Sequence, residues 1–360
     1  MLKQFTIASI FTAFALISVS LIAQSHDPRF QNRRYGTVTH IDTTIVHDPV
    51  LIRQDSVYYL FATGWGIDVF SSDDMTMWRR EKSVFPQAPQ WAMDTIPNFK
   101  GHIWAPDILF HNGLYYLFYS VSAFGKNTSA IGVATNKTLH PSSPSFEWID
   151  HGPVIHSVPG ITNWNAIDPS VVADKKGDLW MFFGSFWDGI QLAKLSKDGF
   201  AVEPNKEITT IATRKSNPLI EGNLPAVGNN PPDAGGNAIE APFLFKKGKY
   251  YYLFISIDYC CKGLDSNYKI AVGRSKNIEG PYIDKSGVPM NRGGGTIIRQ
   301  GDKNYSAIGH NATVTFNNVH YIIAHGYSKT LNGRSTLIIE RLKWEKGWPV
   351  VVSNNSTGNK

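Results

Sequence analysis

Three carboxylates, Asp48, Asp168 and Glu240, stand at matching places in a unit that recurs along the 360-residue chain. The copies read Val46-His47-Asp48-Pro49, Ile103-Trp104-Ala105-Pro106-Asp107, Asn165-Ala166-Ile167-Asp168-Pro169-Ser170, Ile239-Glu240-Ala241-Pro242 and Ile308-Gly309-His310-Asn311-Ala312. Taking Pro49, Pro106, Pro169, Pro242 and Ala312 as the corner aligns Asp48, Ala105, Asp168, Ala241 and Asn311 before it, with Glu240 one place earlier. A lone Asp-Pro is ordinarily a turn, since Asp bonds the local backbone and Pro fixes φ. A turn requirement would accept one residue type in every copy, whereas here only selected copies carry an acid. Carboxyl groups gathered in this way suit glycoside hydrolysis, in which one activates water and another protonates the leaving oxygen. A third carboxylate nearby would tune the acid by like-charge repulsion.

The neighbours of these corners fit a carbohydrate. Trp104, Trp164, Phe186 and Trp187 offer flat apolar faces for sugar rings, and Asn165 and Ser185 offer hydrogen bonds to hydroxyls. Phe186 and Trp187 would serve a packed core equally well. His310, in the fifth copy, could bind a metal or hydrogen-bond a carboxylate. No spacing of His and Cys elsewhere suggests a catalytic zinc.

Corners can meet only if the chain brings distant repeats to one axis. Each corner leads into a run of aromatic and β-branched residues, at 57–61, 114–118, 179–183, 250–254 and 319–323. The repeat, at intervals of roughly 57 to 73 residues, holds several short strands and little helical periodicity, which is the pattern of a propeller blade. The expected fold is all-β, a five-bladed β-propeller in a single domain over 26–352, with the inner corners converging on a central channel. Residues 111–113, 175–178 and 246–249 read as tight turns, as does Gly64-Trp65-Gly66. Residues 26–35 read as a leader, partly disordered or draped on the surface, and 86–99 as an irregular loop. The long stretch from Lys215 to Asn237 ends beside Glu240 and is read as a functional wall.

Residues 1–25 read as a signal peptide, because Lys3 precedes an apolar run and Ala23-Gln24-Ser25 resembles a cleavage site. The run is also long enough to serve as an uncleaved anchor. The mature chain is expected to be secreted or periplasmic, free of the membrane and monomeric, with a short tail at 353–360. A 42% hydrophobic composition is ample for one large core. The net charge of +6 is scattered, which argues against a nucleic-acid partner. The two cysteines, Cys260 and Cys261, are adjacent and cannot build a disulfide framework; two strand-end thiols are the simpler reading and a vicinal disulfide the alternative.

From about residue 40 to 345 these motifs, together with Gly184-Ser185-Phe186-Trp187 and Gly309-His310-Asn311, resemble glycoside hydrolase family 43. Within that family they are similar to the members that cut α-1,5-linked arabinan internally. The resemblance implies a five-bladed propeller and an inverting mechanism, with Asp48 as general base, Glu240 as general acid and Asp168 modulating and orienting the acid. It also implies a calcium ion held by His310 largely through water, and arabinan or a pectic side-chain polysaccharide as substrate. The missing corner proline in the fifth copy and the long 215–237 loop bear on subsite shape, and so on internal against chain-end cleavage. An exo-acting arabinofuranosidase or β-xylosidase on the same fold is the alternative. A propeller that only binds carbohydrate is a further one, against which the three acids stand.

Overall fold

The computed structural model describes residues 27–31, 34–215 and 236–352. The expected signal segment, nearly all of the 215–237 loop and the 353–360 tail lie outside the described residues. The chain forms five antiparallel sheets of four or five strands. Their innermost strands are Val50–Gln54, His102–His111, Ser170–Ala173, Ile239–Lys247 and Tyr305–Phe316. Each packs against the innermost strand of both neighbouring blades, the fifth against the first, so the ring closes as a five-bladed propeller.

The second strand of every blade is the aromatic run, as in Leu179–Phe183, where all five side chains are buried. Both faces of a blade are covered by its neighbours, which is why these strands are continuously apolar rather than alternating. One cluster joins Phe61 and Trp78 of the first blade to Tyr119 of the second and Ile323 of the fifth. The first and last blades are also stitched through the backbone. Ile45 bridges Thr336, Val46 N–H donates to Ser335 O (3.3 Å) and Leu337 N–H to Thr44 O (3.0 Å).

The structure adds local detail. Gly64-Trp65-Gly66 does turn, closed by the Ile67 N–H on Gly64 O (3.3 Å), and Gly64 and Trp65 also pair with Ile103 and His102, extending the second blade at its inner edge. The 86–99 segment contains a helix, Gln90–Thr95, anchored by buried Ala92. The leader contains the short helix Pro28–Gln31. Its Phe30 ring meets Trp65 edge-on at 5.8 Å and its Arg29 guanidinium lies 4.1 Å over the same indole, so these residues are draped against the Gly64–Trp65 strand, in keeping with a leader on the surface. Among the described residues no helix is long and apolar enough to cross a membrane.

Candidate active site

The corners share one backbone conformation. Asp48, Ala105, Asp168, Ala241 and His310 have φ of 52°, 43°, 56°, 50° and 51°, in the left-handed region that side chains disfavour. The fifth left-handed residue is therefore His310, not Asn311, and the place of the corner proline is taken by Asn311, not Ala312. Strand pairing agrees, since Ala312 faces Ile323 as Phe243 faces Phe254 and Asp107 faces Phe118. Without a proline to anchor it, the fifth copy slips by one residue in a sequence alignment.

A strained backbone persists when its surroundings over-determine it, and here the preceding blade does so. The N–H of Ala105 donates to Thr63 Oγ1 (2.8 Å), Asp168 to Ser120 Oγ (2.9 Å), His310 to Ser256 Oγ (2.8 Å) and Asp48 to His325 Nδ1 (3.1 Å). At the fourth corner the matching residue is Gly184, which has no side chain to offer. Ala241 N–H donates instead to Asp168 Oδ2 (3.1 Å), which ties the third-corner carboxylate to the residue after Glu240. No larger residue fits at Gly184, because a Cβ would lie 2.3 Å from Gly189 O.

At the first corner, Asp48 Oδ1 accepts from His47 Nδ1 (2.8 Å) and His310 Nδ1 (3.0 Å), and Oδ2 accepts from Thr63 Oγ1 (2.6 Å). Burial pushes this carboxyl up, but His310 and His47 outweigh it and hold Asp48 well below the usual range. His325 Nδ1 also lies 3.7 Å from Asp48 Oδ1. It is no ion pair: that nitrogen already accepts the Asp48 N–H, and burial beside His47 keeps this imidazole neutral. Asp48 is thus an ionised carboxylate with one Oδ2 lone pair left for a further donor.

Across the channel, Glu240 Oε2 accepts from Ser185 Oγ (2.8 Å) and Oε1 from Tyr268 O–H (2.7 Å). Burial lifts Asp168 to about 8; His310 works against this, and the charges of Glu240 and Asp48 add to it. His310 joins the two sides. Burial opposes its charge, yet Asp48, Asp168 and Glu240 together push it up to about 9. The three sequence-selected acids therefore act on one another and on one imidazole.

The remaining expected contacts divide. Trp104 is half-buried, with its indole N–H on His102 Nδ1 (2.9 Å), and Trp164 lies edge-on to Phe183. Phe186 is half-exposed and pairs with Tyr259 at 6.0 Å, whereas Trp187 is buried in the protein. Asn165 Oδ1 accepts from Ser129 Oγ (2.6 Å) and the Ser185 hydroxyl is taken by Glu240, so both oxygens serve the protein's interior first.

Sequence reasoning missed Thr63, Tyr268, His325 and Tyr327, which stand at the ends of second and third strands. Two places beyond the aromatic runs stand Thr63, Ser120, Ser256 and His325, a recurrence open to the sequence; the third run offers Ser185 there, and only the pairing of Ser170 with Phe182 moves the match to Gly184. Of the two readings open for Cys260 and Cys261, the structure takes the vicinal disulfide over the pair of free thiols. Their loop adjoins the first corner: Cys261 N–H donates to Tyr327 Oη (2.7 Å), and Tyr327 Oη lies 2.8 Å from His47 Nε2. His47, Asp48 and His325 offer ligand atoms all within 4.8 Å of one another, a cluster able to coordinate a metal ion.

A five-bladed propeller whose inner corners gather buried, interacting carboxyl groups defines a glycoside hydrolase. Residues 41–349 match the family described as Glycosyl hydrolases family 43, and the chain belongs to that family. It is 47% identical to the extracellular exo-α-(1→5)-L-arabinofuranosidase of Cellvibrio japonicus over 85% of this chain and 86% of that protein. It is 41% identical to an extracellular endo-α-(1→5)-L-arabinanase of Bacillus subtilis over 85% and 87% respectively. Among solved structures, an exo-1,5-α-L-arabinanase from a bovine ruminal metagenomic library superposes with a TM-score of 0.80 at 52% identity, covering 86% of this chain and 97% of that one.

Proposed function

We propose that this chain is an exported inverting hydrolase of α-1,5-linked arabinan that acts from a chain end. The carrying observation is the division of the site into an ionised Asp48 on one side of His310 and a proton-retaining Asp168 beside Glu240 on the other. The relatives at 47% and 52% identity are named for exo action, and the one at 41% for endo action, which favours chain-end cleavage over the internal cleavage expected from motifs. The names of the two curated relatives support an extracellular location, as does a disulfide, which persists in oxidising compartments.

In this reading a water bonds to the remaining Oδ2 lone pair of Asp48, which takes its proton as the water attacks the anomeric carbon. His47, His310 and Thr63 fix the carboxylate so that its other lone pairs are spent. Glu240, oriented by Ser185 and Tyr268, gives the leaving oxygen the proton that the Asp168–Glu240 pair keeps in that half of the site, and Asp168, tied to the backbone of Ala241, sets how readily it is yielded.

A calcium ion is the metal the family resemblance implies. The His47–Asp48–His325 cluster suits it poorly, because calcium prefers oxygen and those nitrogens are engaged with Asp48 and Tyr327. His310 suits it better: Nδ1 is held by Asp48, and Nε2 would be the ligand atom once the ion displaces its proton, among the carboxyl groups of Asp48, Asp168 and Glu240. Bound there, it would supply fixed positive charge among the acids.

Linear arabinan with product chromatography tests the reading. Short products of one size from the first minutes support chain-end action, and a ladder of long oligosaccharides would assign internal cleavage. Arabinan bound with no reducing sugar released would reduce the protein to a binding module.

A further inference from the structure

The disulfide lies between the two halves of the site. Cys260 packs into a small cluster of Tyr268, Ala307 and Tyr327. Tyr268 donates to Glu240, and Tyr327 reaches Asp48 through His47. The direction of the second chain follows from its donors. Tyr327 Oη accepts from Cys261 N–H (2.7 Å) and lies 3.3 Å from His325 Nε2, whose Nδ1 is already an acceptor and whose Nε2 therefore carries the proton. Of the acceptors in reach of the Tyr327 hydroxyl proton, His47 Nε2 at 2.8 Å is much nearer than Cys261 Sγ at 3.9 Å, and that leaves His47 Nδ1–H to donate to Asp48 Oδ1. Cys261 holds φ at 66°, a left-handed conformation that aims its N–H at Tyr327. A disulfide between neighbours closes a small ring that includes their peptide bond, so it restricts that conformation directly.

We propose that the Cys260–Cys261 disulfide, acting through Tyr327 and Tyr268, is a positioning element for both Asp48 and Glu240, so that its reduction slows hydrolysis without unfolding the protein. This rests on the hydrolase reading above. Cys261 is exposed, which gives a thiol access to the bond. Dithiothreitol supplies two electrons and two protons, the S–S bond breaks into two thiols, and the reagent closes to its own cyclic disulfide.

The test uses the full chain, oxidised and then reduced, with thiol titration confirming the state. Reduction is expected to lower kcat on arabinan roughly ten- to a hundredfold, the range set by small misplacements of catalytic groups, with KM nearly unchanged and the melting midpoint held. Reoxidation should restore the rate. Tyr327→Phe should show a similar kcat loss with the disulfide intact, and a Cys260→Ser/Cys261→Ser double variant should match the reduced chain and ignore dithiothreitol. An unchanged kcat in a chain shown to be reduced would overturn the proposal, as would a loss that merely follows the unfolded fraction. Nitrogen-15 spectra of the His47 imidazole provide a readout that needs no activity. A single Nδ1–H tautomer in the oxidised chain, lost on reduction, supports the relay even if arabinan proves not to be the substrate. An identical spectrum in both states sinks it.

Discussion

The first and third corners carry the same dipeptide, Asp-Pro, at nearly the same φ, 52° and 56°, and yet bind protons in opposite ways. Asp48 is held well below the usual carboxylate range, whereas Asp168 is raised to about 8. Both are buried, so burial does not separate them. The charges that face them do, with hydrogen bonds to the charged form second. Asp48 receives two imidazole N–H groups and a hydroxyl, while Asp168 has one backbone N–H and two negative neighbours. A repeated backbone can therefore supply equivalent positions whose chemistry is decided by what the adjacent blades aim at them.

The sharpest break of this comparison is a pair of isosteric changes. Asp48→Asn removes an ionised base and should cost roughly the 10²–10⁴-fold typical of a positioned acid or base. Asp168→Asn replaces a proton-retaining carboxyl by a similar neutral amide that can still accept from Ala241, and should lose at least about tenfold less on the same scale. Equal losses in steady-state rates on arabinan would refute the assigned difference. Glu240→Ala should recover much of its rate on an aryl arabinoside with an acidic phenol, which needs no proton to leave, and Asp48→Ala should not.

Chelation probes the imidazole between the two sides. If calcium is held at His310, exhaustive removal should lower activity severalfold or more, with a smaller effect on the melting midpoint, because the blades' own cores hold the fold. His310→Ala should reproduce that pattern. Full activity in a chain shown by metal analysis to be calcium-free would remove the ion from the site.

Much of this was legible in sequence, and the losses have physical causes. Strands buried on both faces must be aromatic and β-branched throughout, so five such runs at even spacing disclosed the blades. Acids at selected corners stood out because the aligned position is Ala105 in the second copy and Ala241 in the fourth, where the acid, Glu240, sits one place earlier. The groups that tune them were hidden: Thr63, Tyr268, His325 and Tyr327 belong to other strands, and only ring closure brings the fifth blade's His325 and Tyr327 to Asp48. Ser185 and Asn165 were legible as polar, but their internal bonds were not, since a hydroxyl facing a ligand and one facing Glu240 read alike. The fifth corner was misaligned because Asn311 replaces the proline that marks the others.

A smaller effect is expected at Asp107, the residue after the second corner proline. Burial raises it to about 7, against N–H bonds from Val171 and Ile108. With an unfolded value near 3.8, the folded chain holds the extra proton between the two values, so its contribution is fully present below about 3.8 and lost as pH rises through about 7. Asp107→Asn has no proton to lose and can still accept the Val171 N–H through its amide oxygen. Its unfolding free energy from urea titration should fall less than the wild type's between pH 5 and 8, by at most a few kcal/mol at the conversion of about 1.4 kcal/mol per unit. Parallel curves would show that Asp107 is already ionised at neutral pH.

The smallest expected effect tests whether the five corners are one device. Ser120 and Ser256 accept the N–H groups of Asp168 and His310 at nearly equal distances, 2.9 and 2.8 Å, and both are buried. Replacing either by Ala leaves a donor without its partner at a left-handed residue, which costs about 1–3 kcal/mol. Ser120→Ala and Ser256→Ala should then lower the urea midpoint by similar amounts, with m unchanged. Their kinetic consequences should differ, because Ser120 holds the backbone of the proton-retaining carboxyl and Ser256 that of the imidazole bonded to Asp48. In Ser256→Ala the loss should persist on the aryl substrate, since the base is misplaced, whereas in Ser120→Ala it should shrink there. Unequal stability losses would mean that the corners are held by different means, and equal kinetic behaviour on both substrates would mean that a corner's backbone does not transmit to its side chain.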